Sequence, residues 1–337
     1  MNRWPDGAPS PSRVYFQSKI QNRKSKIPRF PLHPICKRVT VAPSDTVGLH
    51  PGRKAAMVEI TAEDDGLPCL EVGAWAEDKY RLVALYDGLF STGMKNKWET
   101  RVYIDLYAGP GFARLRGTSR ILLGSPLLAL QIPDRFDKYI FCESEADRLA
   151  ALQQRVNRLF PGADAHYVTG DCNEKVEEIC ANIPSSSREH GVLSFCFVDP
   201  YDISIRFSTV KRLSSYYMDF MFLLALQMDA NRNLEHYLNP DNSKIDEFLD
   251  LPDWRERWRI AEGQGTSFPR YLAEEYSGQM EKLGYLPVAW HKMKQVRSEK
   301  NLPLYRLALF SRHPLAYQFW DEVLRYSSGQ RTFSFEG

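Results

Sequence analysis

Apolar positions in this chain recur in two periods. From about residue 71 onward, short apolar runs alternate with stretches whose apolar residues return every three or four positions. Such alternation predicts an α/β fold with a mostly parallel sheet. The first helix opens at Trp75-Ala76-Glu77-Asp78-Lys79, with acids in the turn where the helix dipole favours them. Its apolar face is Leu82, Val83, Tyr86, Leu89 and Phe90. Residues 102–106 read as a strand and 112–124 as a long basic loop with Arg114, Arg116 and Arg120. Gly124-Ser125-Pro126 then starts a helix, with Ser125 as N-cap and Pro126 at the first helical position. Further strands are expected at 139–142, 166–169, 192–198 and 219–226. Between them lie helices at 146–159, 174–183 and 207–213. The run at 192–198 is apolar throughout, as in a strand buried on both faces. A Trp- and Arg-rich helical insertion at about 231–267 precedes a helix at 268–283. Two strands, 286–296 and 304–312, close the sheet through a charged hairpin, and 315–326 makes the final helix.

The charge is uneven. The net value of +2 divides into +8 over residues 1–60, with 11 Lys/Arg against 3 Asp/Glu, and −6 over the remainder. The first 52 residues also hold eight of the 21 prolines and sustain no period. Residues 1–62 therefore read as a disordered basic extension and 63–330 as the folded domain. The extension suits electrostatic contact with nucleic acid, but the plainer readings, a dispensable tail or a misassigned start codon, come before it. No apolar run approaches a membrane span, and the N-terminus has no signal-peptide core. The six cysteines are scattered without a CxxC pair, and no histidine spacing suggests zinc. A cytoplasmic protein without a resident metal is the expectation.

Four successive strands end in an acid: Asp105, Glu143, Asp171 and Asp199. Open α/β sheets bind ligands beyond the carboxyl ends of their strands, at the switch point. The first of these strands runs into Asp105-Leu106-Tyr107-Ala108-Gly109-Pro110-Gly111. Glycines let such a turn approach a ligand closely. The D-x-Y-A-G-x-G form points to S-adenosyl-L-methionine (SAM) rather than a dinucleotide; an ordinary tight turn is the alternative. Asp105, Tyr107, Gly109 and Gly111 would line the cofactor, Glu143 would accept from the ribose hydroxyls, and Asp171 from the adenine amine. Asp199-Pro200-Tyr201 is one proline short of the (Asp/Asn)-Pro-Pro-Tyr strand end with which amino-directed methyltransferases hold an exocyclic amine and stack a base. It makes these three the candidate catalytic residues; the alternative is a strand end where Asp199 only caps the turn.

With these segments in place, the chain resembles the three-Cys-motif partner protein (TcmP) family. The matching pieces are Trp75-Ala76-Glu77-Asp78-Lys79, the segment from Tyr103 to Gly111, Gly124-Ser125-Pro126-Leu127, Phe197-Val198-Asp199-Pro200-Tyr201, and Ser311-Arg312-His313-Pro314-Leu315. They span about residues 70–325 in order, except that the family's glycine after Asp-Pro-Tyr is Asp202. The resemblance implies a doubly wound, Rossmann-like class I SAM-dependent methyltransferase fold with an antiparallel closing strand. It also implies a partner protein carrying a three-cysteine, radical-SAM-like motif. A looser similarity, to enzymes that methylate adenine N6 in 23S ribosomal RNA, hints at a nucleic-acid or nucleotide-like acceptor. The expected activity is methyl transfer from SAM; the alternative is a catalytically silent adaptor for the partner. A nuclease would need Asp105 and Asp199 as a metal-binding pair. Trp254-Arg255-Glu256-Arg257-Trp258-Arg259 fits single-stranded nucleic acid, or a solvated helix anchored by its tryptophans. Arg232 is placed to meet either a phosphate or Asp199, and His313 reads as a turn residue.

Overall fold

Seven strands make the central sheet of the computed structural model, which describes residues 60–332. Residues 1–59, most of the expected basic extension, lie outside the described residues. The chain enters through β1 (Thr61–Ala62), β2 (Leu70–Val72) and α1 (Trp75–Met94). There follow β3 (Thr100–Asp105), β4 (Phe112–Leu115), β5 (Ile121–Leu123), α2 (Ser125–Gln131), β6 (Lys138–Glu143) and α3 (Ala146–Leu159). Next come β7 (Ala165–Thr169), α4 (Val176–Ala181), β8 (Val192–Val198), α5 (Phe207–Leu213) and β9 (Met218–Leu224). A π-helical turn, Leu226–Ala230, leads into α6 (Leu234–Leu238), α7 (Lys244–Leu249), α8 (Trp254–Gly263) and α9 (Phe268–Lys282). β10 (Lys294–Arg297), β11 (Pro303–Phe310) and α10 (Pro314–Thr332) complete it.

The strand order is β10-β11-β9-β8-β3-β6-β7. β3, β6, β7, β8 and β9 pair in parallel, while β11 runs antiparallel to both β9 and β10. This is the doubly wound Rossmann-like sheet of a class I methyltransferase fold, with the antiparallel closing strand. Each strand alternates between two cores. Tyr103, Phe141, Phe195, Phe197 and Met221 face the core built with α1, α2, α3 and α10. Ile104, Ile140, Cys196, Val198 and Phe222 face the core built with α4, α5, α7, α8 and α9. Both faces are covered, which is why 192–198 carries no polar alternation.

The stretch 112–124, read from sequence as a loop, is a hairpin. β4 and β5 pair antiparallel, β2 adds in parallel to β4, and β1 adds to β5. Alternation over so few residues gives little signal, and the exposed arginines of the turn mask it. Ile60 is buried and the Thr61–Ala62 strand belongs to this sheet, so its edge falls inside the span assigned to the extension. Ser125 begins α2 with Gly124 as N-cap, and no side chain caps the helix. Its hydroxyl instead hydrogen-bonds the Asp105 carboxyl, which also accepts from the Tyr103 hydroxyl at 3.4 Å. Of the expected strand 286–296, only Lys294–Arg297 pairs; Trp290–Lys292 is a 3-10 turn. Among the described residues, no helix is long and apolar enough to cross a membrane.

Candidate functional site

The carboxyl ends of β3, β6, β7 and β8 open onto a cleft of about 820 Å³. Segment 70–75, the first turn of α1, the loop after β8, the π-helical turn and the β10–β11 hairpin wall it. Tyr107, Glu143, Asp171, Asp199, Pro200 and Tyr201 line it. Asp105, Gly109 and Gly111 lie behind that lining: Asp105 is fully buried, and both glycines are buried.

The turn after β3 is built on hydrogen bonds to its neighbours. Gly109 N donates to Glu143 Oε2 at 2.9 Å, and Ala108 N to the Cys142 carbonyl at 2.9 Å. Gly109 (φ +60°) and Gly111 (φ +86°) adopt the left-handed region that favours glycine. A Cβ on Gly109 would come to 3.0 Å from Leu70 Cδ1, and one on Gly111 to 2.9 Å from Leu152 Cδ1. Glu143 Oε1 accepts from Glu145 N at 3.0 Å and Ser144 Oγ at 3.2 Å. The acid at the end of β6 therefore organises two loops at once. At the end of β7, Asp171 is exposed, with Oδ1 accepting from Asn173 N at 2.7 Å.

Asp105 turns the chain rather than facing the cleft. Its Oδ1 accepts from Tyr107 N at 3.2 Å. Burial pushes its pKa up to about 7, against the opposing hydrogen bonds from Ser125 and Tyr107 N.

At the end of β8 the structure adds a residue that sequence reading did not single out. Lys79 Nζ donates to Asp199 Oδ2 at 2.5 Å, and the lysine is only 3% exposed. The ammonium also sits 4.4 Å from the Tyr80 ring centroid and 5.2 Å from that of Trp75. Burial works against its charge, but the Asp199 carboxylate outweighs burial and holds the lysine above its ordinary range. The signal was present: Lys79 falls one turn before Val83 on the apolar stripe of α1, where a lysine needs a partner. Asp199 Oδ1 forms no hydrogen bond to another described residue. Tyr201 beside it is 65% exposed, and Trp75 packs on Tyr305 at 4.9 Å.

The loop after Tyr201 is held from below. Asp202, where the resembling family has glycine, pairs with Lys244 at 2.6 Å. Buried Asp229 in the π-helical turn accepts from Ile203 N at 3.0 Å and from the Tyr237 hydroxyl at 2.7 Å. The insertion thus fixes the strand-end motif from outside the sheet. Its tryptophans are structural: Trp254 and Trp258 are buried, Arg255 bonds Asp246, and Arg257 bonds Glu275. They offer no stacking surface. Arg232 is not paired with Asp199, and His313 Nδ1 accepts from Leu315 N at 3.2 Å as a turn residue. Among the described residues, no group of three or more His, Cys, Asp or Glu could hold a metal ion.

No family model matches the chain, and no curated protein matches it. Solved structures do. A Legionella pneumophila protein is 12% identical, covering 74% of this chain and 90% of its own, with a TM-score of 0.42. Geranyl diphosphate methyltransferase in complex with SAM is 11% identical over 71% of this chain and 85% of its own, TM-score 0.38. A methyltransferase-class neighbour from Escherichia coli is 16% identical, covering 48% of this chain and 74% of its own, TM-score 0.30.

Proposed function

We propose that this chain is a SAM-dependent methyltransferase acting on a nucleic-acid or nucleotide-like acceptor, together with a three-Cys-motif, radical-SAM-like partner. The observation that carries the reading is the cleft at the sheet's switch point. There a glycine turn is bonded to Glu143, and Asp171 stands at the next strand end. The shape of the turn supports this: both glycines hold a left-handed φ, a Cβ on either would press on Leu70 or Leu152, and Tyr107 lines the cleft beside them. SAM supplies an electrophilic methyl group on a sulfonium. Tyr107, Glu143 and Asp171 would hold it, with Asp105, Gly109 and Gly111 shaping the turn from behind.

The other end of the cleft would take the acceptor. Asp199 Oδ1 and the Pro200 carbonyl accept protons of an acceptor amine, and Tyr201 offers a face for stacking. Lys79 fixes the Asp199 rotamer and opposes the burial that raises its carboxyl above the ordinary range. This is a positioning scheme, in which rate comes from holding the acceptor in line with the methyl group. Engagement of Asp199 by Lys79 also favours a second reading, the catalytically silent adaptor, because that carboxylate is partly spent within the protein.

Transfer of labelled methyl groups from SAM into RNA and nucleotides, with and without the partner, separates the two. For an enzyme, Asp199→Ala and Lys79→Met each reduce turnover by about a hundredfold or more, while affinity for S-adenosylhomocysteine changes little. An adaptor shows no transfer, and its partner's activity survives Asp199→Ala.

A further inference from the structure

The cleft is divided chemically. Around the glycine turn it presents the carboxylates Glu143 and Asp171. Around Trp75, Tyr201 and Tyr305 it presents aromatic rings and a set of cations. Arg116 lies in the β4–β5 turn, Arg232 just after the π-helical turn, and Lys300 in the β10–β11 turn. All three line the cleft and are exposed. The other cations lining the cleft are engaged, Lys79 by Asp199 and Arg148 by Glu143 at 3.8 Å, as are Arg114 by Asp64, Arg120 by Glu77 and Lys244 by Asp202 outside it. Arg116, Arg232 and Lys300 pair with no other described residue. Arg232 is close enough to Tyr305 to act on its phenol electrostatically, which places it at the acceptor end. Glu71 and Glu299 share this rim, so the cations are not one undirected positive field.

Three unpaired cations from three separate elements, round a mouth floored by aromatic rings, match one kind of molecule. We infer that Arg116, Arg232 and Lys300 grip the phosphate of a phosphate-ester acceptor whose base enters between Tyr201 and Trp75. The phosphate belongs to a free nucleotide or to a single strand; the chemistry of the grip is the same. The inference rests on the methyltransferase reading for the word acceptor, but the grip itself is tested by binding alone.

The test is anisotropy of a short fluorescein-labelled single-stranded RNA on the full chain, with adenosine 5′-monophosphate and adenosine as competitors. The variant replaces Arg116, Arg232 and Lys300 together by Gln, at exposed positions where the fold tolerates change. Calorimetry with S-adenosylhomocysteine runs in parallel. The expected result is a loss of tenfold or more in RNA affinity, a salt slope shallower by about 0.7 for the one phosphate released, and unchanged S-adenosylhomocysteine affinity. Competition by the monophosphate as strong as by unlabelled RNA assigns the phosphate to a free nucleotide; competition by RNA alone assigns it to a strand. Equal RNA affinity and slope in wild type and variant would overturn the grip, as would a wild type that binds neither probe more tightly than adenosine. Failure to bind S-adenosylhomocysteine would remove the methyltransferase reading, and a variant-dependent loss of RNA would still support the grip.

Discussion

Asp105 shows how much a single residue's setting decides. Sequence places it at a ligand-binding strand end, yet the folded chain seals it beneath the glycine turn with no exposure. A carboxyl moved from its ordinary 3.8 to about 7 holds its proton more tightly folded than unfolded. Its contribution to stability is therefore complete below pH 4 and is lost as pH rises towards 7. The lost contribution amounts to about 4 kcal/mol. Asp87, also sealed and without a hydrogen bond to either oxygen, is pushed by burial well above its ordinary value, and burial pushes Asp219 up to about 7; both add slope of the same sign in that window, so removing Asp105 flattens the profile without levelling it. Urea denaturation from pH 4 to 8 should show stability falling in wild type, and a flatter profile in Asp105→Asn. Parallel profiles would mean that Asp105 is ionised throughout. Lys79 teaches the complementary lesson. Its place on the apolar stripe of α1 was readable, but its partner lies 120 residues away, and no local pattern links the two.

Among elements, those with a long period were legible. α3 and α5 keep the boundaries their patterns predict, and the five parallel strands stand within two residues of theirs. The β4–β5 hairpin and the ragged approach to β10 were not, because each is short and takes its pairing from distant chain. The strand-end acids Glu143, Asp171 and Asp199 were legible as a set, since strand ends in an open sheet share one edge. That Asp105 would turn inward depended on Ser125, three elements later. Segment 65–72 is held over the glycine turn by one buried residue of α3. Arg155 bonds Asp65 at 2.6 Å and donates to the carbonyls of Leu67, Pro68 and Pro110. Its guanidinium also lies 4.0 Å from the Phe112 ring centroid. Arg155→Met leaves Asp65 with the surface partner Arg158 and the Leu67 N–H, and strips four acceptors at once. The expected loss is about 3–5 kcal/mol, read as a lowered midpoint in thermal or urea unfolding. A change below about 1 kcal/mol would show that the small sheet alone holds the segment.

At the scale of the whole molecule, one sheet places two unlike chemistries at the ends of one cleft. The carboxylates come from strands β6 and β7, whose ends follow directly from the parallel topology. The aromatic and cationic end comes from α1, the insertion and two hairpins, which is why composition alone gave so little of it. The central claim is that the glycine turn and Glu143 form a SAM pocket. The most direct measurement is calorimetric titration of S-adenosylhomocysteine into wild type and Gly109→Val. The account predicts micromolar binding to the wild type and none to the variant, whose Cβ is strained at φ +60° and closes on Leu70. A wild type that binds no S-adenosylhomocysteine, alone or with its partner present, would contradict it.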